Sequence, residues 1–224
     1  MRVVLRIGGS VVASPVNTDL ISKYAEIVRT LKLQGNEVVV VVGGGALARE
    51  FIAIAKQLGL AEQAQDEIAI SVSRLYAQLF LKTLGDIGCS HVALTLDDAA
   101  KCLSEGKIAV MGGLRPGITT DTVAALVAER VKADLLVKGT DQEGVYNKDP
   151  RKHADAVKLD RLSFDDLANV FAEHKHKAGI HQIIDPEAVK VLKRGCMRLV
   201  VVNGFKPENI LAAVKGENVG TVIN

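Results

Sequence analysis

Five consecutive valines, Val38–Val42, constrain the fold more than any other feature of this sequence. A run that is β-branched at every position leaves no polar face, so it fits a strand covered on both sides in a parallel sheet. The run stops abruptly at Gly43-Gly44-Gly45. A similar strand-like stretch, Arg2–Ile7, closes at Gly8-Gly9-Ser10, and the helical spacing of Leu20, Ile21, Tyr24, Ile27, Val28 and Leu31 follows it. Further along, Ala46–Leu58 and Glu67–Leu84 read as helices, with Asp66 as N-cap of the second.

The alternation continues with strand-like Ser90–Leu94, a helix near Asp97–Ser104 and strand-like Lys107–Met111. After the loop Gly112–Thr120 come helix Thr122–Val131 and strand Asp134–Val137. Beyond the irregular stretch Gly139–Leu162 lie helices near Phe164–Ala172 and Pro186–Lys193. Strand Arg198–Val202, helix Pro207–Lys215 and strand Gly220–Ile223 complete the chain. This order predicts an α/β fold, a three-layer αβα sandwich around a mainly parallel sheet. One domain over residues 1–224 is expected, its N-terminal part (1–130) and C-terminal part (131–224) meeting near the irregular stretch.

Composition narrows the function classes. Net charge is +2 with the signs interspersed, which excludes the basic footprint of a nucleic-acid or anionic-membrane binder. No apolar run approaches the length of a membrane span, and the first residues do not read as a targeting segment, so a soluble cytoplasmic protein is expected. Cys89, Cys102 and Cys196 are odd in number and widely spaced. They are read as reduced, buried thiols, with no metal site. His174, His176 and His181 match no common ligand spacing and are assigned to a solvated surface.

Three inferred strands end in glycine, at Gly8-Gly9, Gly43-Gly44-Gly45 and Gly112-Gly113. Such turns let backbone N–H groups approach an anion, and three at equivalent sheet ends suggest a long polyanion. The P-loop pattern is absent. A dinucleotide fingerprint matches Gly43, Gly45 and Ala48, with Asp66 about twenty residues on, but that acid does not close a second strand. Lys138 ends a buried strand, where a charge has few structural reasons to be. Asp121 opens a helix, where capping alone would account for it.

The residues that follow these turns resemble the amino acid kinase superfamily and, within it, the UMP kinases of archaeal type. The resemblance covers nearly the whole chain. It rests on Ile7–Ser10, Val41–Gly45, the segment Gly112–Asp121 (GGLRPGITTD), the segment Lys138–Pro150 (KGTDQEGVYNKDP) and the shorter Ile184-Asp185-Pro186. It implies transfer of the γ-phosphoryl group of ATP, with Mg²⁺, to UMP. Gly8, Gly9, Ser10 and Gly45 would hold ATP phosphates. Thr140, Asp141, Tyr146 and Asp149 would form the ATP nucleoside pocket. Gly44, Asp66 and the loop Leu114, Arg115, Pro116, Gly117, Ile118, Thr119 and Thr120 would bind UMP, Asp66 through the ribose hydroxyls. Arg49 would contact a nucleotide phosphate, of donor or acceptor, and is grouped with the ATP contacts. A homohexamer is implied as well.

Lys138 and Asp121 take catalytic roles by the same resemblance, the first on the transferring group and the second orienting the cations around it. Arg6 stands where many members carry Lys; it is either a third catalytic residue or a salt-bridged strand-end residue. Asp185 is either a nucleotide-site carboxylate or a helix cap, and Arg74 reaches either a phosphate or a neighbouring subunit. Isopentenyl phosphate kinase is the nearest rival, but Gly45 is followed by Ala46-Leu47-Ala48-Arg49-Glu50 without the histidine typical of that group. A non-catalytic nucleotide or oxyanion binder on the same fold is the alternative of another class.

Overall fold

The structure, a computed structural model, describes residues 1–167 and 183–224. The valine run is strand β2 (Glu37–Val42), and every valine in it is buried. It pairs in parallel with β1 (Arg2–Ile7) and β3 (Ala109–Met111). On the other side of β1 lie β4 (Leu135–Thr140) and, beyond it, β8 (Leu199–Asn203), both parallel. Strand β9 (Thr221–Ile223) then runs antiparallel to β8, and β7 (Arg161–Leu162) closes the edge. The order of the seven-stranded sheet is β3-β2-β1-β4-β8-β9-β7. The irregular stretch holds a separate two-stranded ribbon, β5 (Val145–Tyr146) with β6 (Lys158–Leu159).

Alternation along the strands divides the core into two layers. Val3, Leu5 and Ile7, with Val38, Val40 and Val42, pack against helices α2 (Thr18–Leu33) and α4 (Glu62–Leu84). A later helix, α8 (Glu208–Lys215), completes that layer through Ile210 and Ala213. Val4, Val39, Val41, Leu136 and Val201 face the opposite layer. That layer is built by α5 (Leu96–Ser104), α6 (Thr120–Val131) and α7 (Pro186–Arg194). Fully burying each such side chain stabilises the fold by roughly 1.5–3 kcal/mol. The αβα expectation therefore holds, with β9 and β7 running against the remainder.

Strand β1 leads into the short helix α1 (Gly9–Val12), and β2 leads into α3 (Gly45–Gln57). The two turns touch. A Cβ on Gly9 would stand 2.2 Å from the Gly45 nitrogen, and Gly45 itself has φ of +63°. Only glycine fits at either position. Because β1 has later strands on both flanks, this contact sits where the chain's strand order reverses, the usual place for a ligand crevice.

Four expectations are corrected. Ser90–Leu94 is not a strand: of its N–H groups that of Ala93 alone bonds a β3 carbonyl, that of Val110, and the isolated bridge to this edge lies earlier, between Gly88 and Ile108. Its last N–H groups are diverted, since Asp98 accepts from Leu94 and Thr95 in the capping box of α5. Helix α4 begins at Glu62, so Asp66 lies inside it and Ala61 is the N-cap. Asp121 is likewise not a cap, because Thr119 accepts from the Asp121 and Thr122 N–H groups. Finally, Cys89 and Cys102 form a disulfide and Cys196 is exposed, against three buried thiols. Residues 164–167 are helical as expected. The remainder of that expected helix, and His174, His176 and His181, lie outside the described residues.

The disulfide anchors the irregular edge segment to α5 across a sequence separation of 13 residues. Closing a loop of about that length is worth on the order of 3 kcal/mol. Reduction, or Cys102→Ala, is expected to lower the melting temperature by roughly 5–10 °C. Scanning calorimetry with and without reductant checks this.

Candidate active site

Arg6 and Lys138 are register partners on neighbouring strands, so parity carries both onto the face covered by α6. Two cations held side by side repel each other, and burial removes the water that would screen them. The first turn of α6 supplies the counter-charge. Asp121 Oδ1 stands 2.7 Å from Arg6 Nε, while Oδ2 accepts from Lys138 Nζ. Arg6 Nη2 also donates to Thr120 Oγ1 at 2.9 Å, and Lys138 Nζ donates to the Ile183 carbonyl. The three side chains are between 6% and 14% exposed.

The cluster is charge-unbalanced by construction: two cations share one carboxylate. Although Arg6 Nε and Asp121 Oδ1 lie within ion-pair distance, neither has a properly aligned hydrogen-bond partner. Burial pushes the Asp121 carboxyl upward, but the adjacent Arg6 and Lys138 outweigh it and hold the group below the usual carboxylate range. Burial also drives the Lys138 amine down, Asp121 only partly offsetting it, to about 8.

The cluster opens on a cleft of about 560 Å³ between the sheet ends and the ribbon. Gly9 and Ser10 line it from the first turn, Gly43, Gly44 and Gly45 from the second, and Arg49 from α3. Arg49 makes no ion pair among the described residues. Thr140, Asp141, Tyr146 and Asp149 form the opposite end. The structure thus gathers Arg6, Gly9, Ser10, Gly44, Gly45, Arg49, Thr120, Asp121, Lys138, Thr140, Asp141, Tyr146 and Asp149 around one space. Gly8 lies behind this wall, its N–H donating to the Gly139 carbonyl at 3.0 Å.

The other expected acceptor residues form a second group beside the cleft. Asp66 Oδ2 accepts from the Gly117 N–H at 2.7 Å, which fixes the loop carrying Leu114, Arg115, Pro116, Gly117 and Ile118 against α4. Thr119 Oγ1 donates to Asp185 Oδ2 at 2.5 Å. Asp185 also accepts from Thr122 Oγ1 at 2.8 Å and from the Ala188 N–H at 2.9 Å. It is therefore the cap of α7, and it ties that cap to the helix start that presents Asp121. Arg74 donates to the Gly113 and Leu114 carbonyls.

Gln142, Val145, Lys148 and Pro150 also line the cleft, within the quoted Lys138–Pro150 segment but without an assigned role, and two lining residues, Arg151 and Ile183, escaped the sequence reading altogether. Arg151 pairs with Asp141 at 2.5 Å across the cleft mouth. Its signal was present, since basic residues flank Asp149-Pro150 on both sides. Ile183 contributes a backbone carbonyl, which no side-chain pattern announces. Among the described residues, no group of three or more His, Cys, Asp or Glu is placed to hold a metal ion.

The model of the amino acid kinase family matches residues 1–203. The chain belongs to the amino acid kinase family. Its relatives in this family include the uridylate kinase of Methanocaldococcus jannaschii, 42% identical over 100% of this chain and 99% of that protein. The uridylate kinase of Methanobrevibacter smithii is 36% identical, over 100% and 99% respectively. Among solved structures, the uridylate kinase of Archaeoglobus fulgidus superposes with a TM-score of 0.91 at 40% identity, covering 100% of both chains.

In this amino acid kinase family chain, removing the shared carboxylate leaves two buried cations without compensation. Asp121→Asn is expected to destabilise the fold by about 3–5 kcal/mol. Urea unfolding at neutral pH checks this, as a fall in midpoint at unchanged slope.

Proposed function

We infer that the chain is an ATP-dependent UMP kinase, converting ATP and UMP to ADP and UDP. The observation that carries this reading is the Arg6–Asp121–Lys138 cluster, set where two glycine turns meet at the floor of a cleft. Full-length likeness to uridylate kinases supports it.

The chemistry sets what the site must do. A UMP phosphate oxygen bonds to the γ-phosphorus as the bond from that phosphorus to the β,γ-bridging oxygen breaks, leaving ADP. The attacking oxygen is already ionised, so no strong general base is required. The obstacle is repulsion between two polyanions, and it is met by positioning and by fixed positive charge. Lys138 and Arg6 supply that charge at the cleft floor, and Asp121 keeps both pointed inward.

We assign Gly8, Gly9, Ser10 and Gly45 to the ATP phosphates, Gly8 through the shape of the turn behind the wall. Thr140, Asp141, Tyr146 and Asp149 receive the ATP nucleoside, and Gly44, Asp66 and residues 114–120 receive UMP. Arg49 lines the cleft beside the second turn, which suits a phosphate of either nucleotide. Asp121 and Asp141 are already paired with cations, and among the described residues no group of three or more His, Cys, Asp or Glu is placed to cage a metal ion. That donor set fits a Mg²⁺ carried on the ATP phosphates, where it would neutralise charge on the transferring group. A cytoplasmic homohexamer completes the reading. Among the described residues no helix is long and apolar enough to cross a membrane.

A phosphate-acceptor panel of UMP, CMP, dUMP and isopentenyl phosphate with MgATP tests the assignment, read as coupled ADP formation. Turnover is expected with UMP foremost; preference for isopentenyl phosphate, or ATP binding without turnover of any acceptor, overturns it. Lys138→Ala is expected to lower kcat more than about tenfold, or ~1.4 kcal/mol of barrier. Lys138 acts protonated, so kcat/KM is expected to fall as pH rises through about 8, the depressed pKa of its amine. Lys138→Arg, whose guanidinium stays charged, should remove that alkaline limb from whatever activity it retains.

A further inference from the structure

Helix α4 holds the loop after β3 at both ends. The Gly113 N–H donates to Ser73 Oγ at 2.7 Å. Arg74 Nε donates to the Gly113 carbonyl and Nη2 to the Leu114 carbonyl, each at 2.9 Å. Two turns of helix earlier, Asp66 accepts from Gly117. The backbones lie in contact: a Cβ on Gly112 would stand 2.7 Å from the Arg74 backbone nitrogen, and one on Gly113 would stand 3.3 Å from the Ile70 Cα. Two residues past Gly117, the same chain caps α6 with Thr119 and delivers Thr120 and Asp121 to the cleft.

We propose that Arg74 is a positioning residue for the phosphate acceptor: by clamping two successive carbonyls, it fixes the loop that receives UMP. The identity of the acceptor rests on the UMP-kinase reading above; the clamp itself does not. Arginine suits the task because its planar fork spans two acceptors, whereas a lysine ammonium is a point charge on a flexible stem. Two guanidinium nitrogens are engaged by backbone, which sets Arg74 apart from Arg49, a cleft-lining cation without an ion pair among the described residues. Carbonyls left without the fork would turn toward other donors, carrying Arg115 and Gly117 with them. The acceptor site would lose its shape while the ATP end of the cleft kept its own.

The test compares Arg74→Gln and Arg74→Lys with the unaltered protein, as full-length chains. KM for UMP is expected to rise by about tenfold in both variants, while KM for ATP stays within about twofold. Amide hydrogen exchange of residues 113–117 in the ligand-free protein should speed up in both. Ser73→Ala, which frees the Gly113 N–H alone, should show a milder version of the same pattern if the arginine variants fold poorly. An unaltered KM for UMP in Arg74→Lys beside a raised one in Arg74→Gln would mean direct attraction of the phosphate and overturn the proposal. Equal rises for both nucleotides, or unchanged exchange, would overturn it too. Should the unaltered protein fail to phosphorylate UMP, the functional reading falls, and the exchange measurement still decides whether the clamp exists.

Discussion

One carboxylate shared by two buried cations is the constraint around which this molecule is arranged. Arg6 and Lys138 are neighbours because β1 and β4 are neighbours, and without Asp121 their mutual repulsion would act on the two central strands of the sheet. The carboxylate comes from the start of α6, so that helix must begin where the strands end. Its start is fixed in turn by Thr119, by Asp185 and by the loop lying on α4. Helices from both layers, α4 on one side and α7 on the other, thus hold the loop and the start of α6 that present Asp121.

The cluster also explains how a charged site can persist in an apolar sheet. Burying isolated ions is strongly unfavourable, and a half-compensated pair is worse than an apolar core. Here compensation is incomplete: two cations share one carboxylate, which leaves a positive excess at the cleft floor. Burial first, and then the neighbouring Arg6, hold the Lys138 amine down to about 8, with Asp121 only partly offsetting them.

Much of this was legible in the residues. The valine run announced a strand covered on both faces, and Lys138 stood out because nothing about a buried strand end calls for a charge. Of the two open readings of Arg6, the salt bridge near a strand end is observed, and the same side chain also lines the cleft. What escaped had a common cause. The Cys89–Cys102 pairing depends on an irregular segment lying beside β3, and an extended stretch looks strand-like until the neighbouring cap draws off its N–H groups. Asp66 resembled a helix start because polar Glu62–Gln65 precedes it, although those residues already form the first turn. Ile183 works through a carbonyl, and Arg74 through carbonyls of a loop about forty residues away, contacts that side-chain spacing does not encode.

The touching glycines, Gly9 and Gly45, carry an evolutionary consequence. With no room for even a methyl group between them, the two turns form a single plate and cannot drift apart independently. Altering the length of either one would displace its mate and, with it, the opening of α3. Diversification of specificity in chains built this way should therefore concentrate in the third loop and the ribbon, which are anchored by side chains and can be re-anchored by different ones.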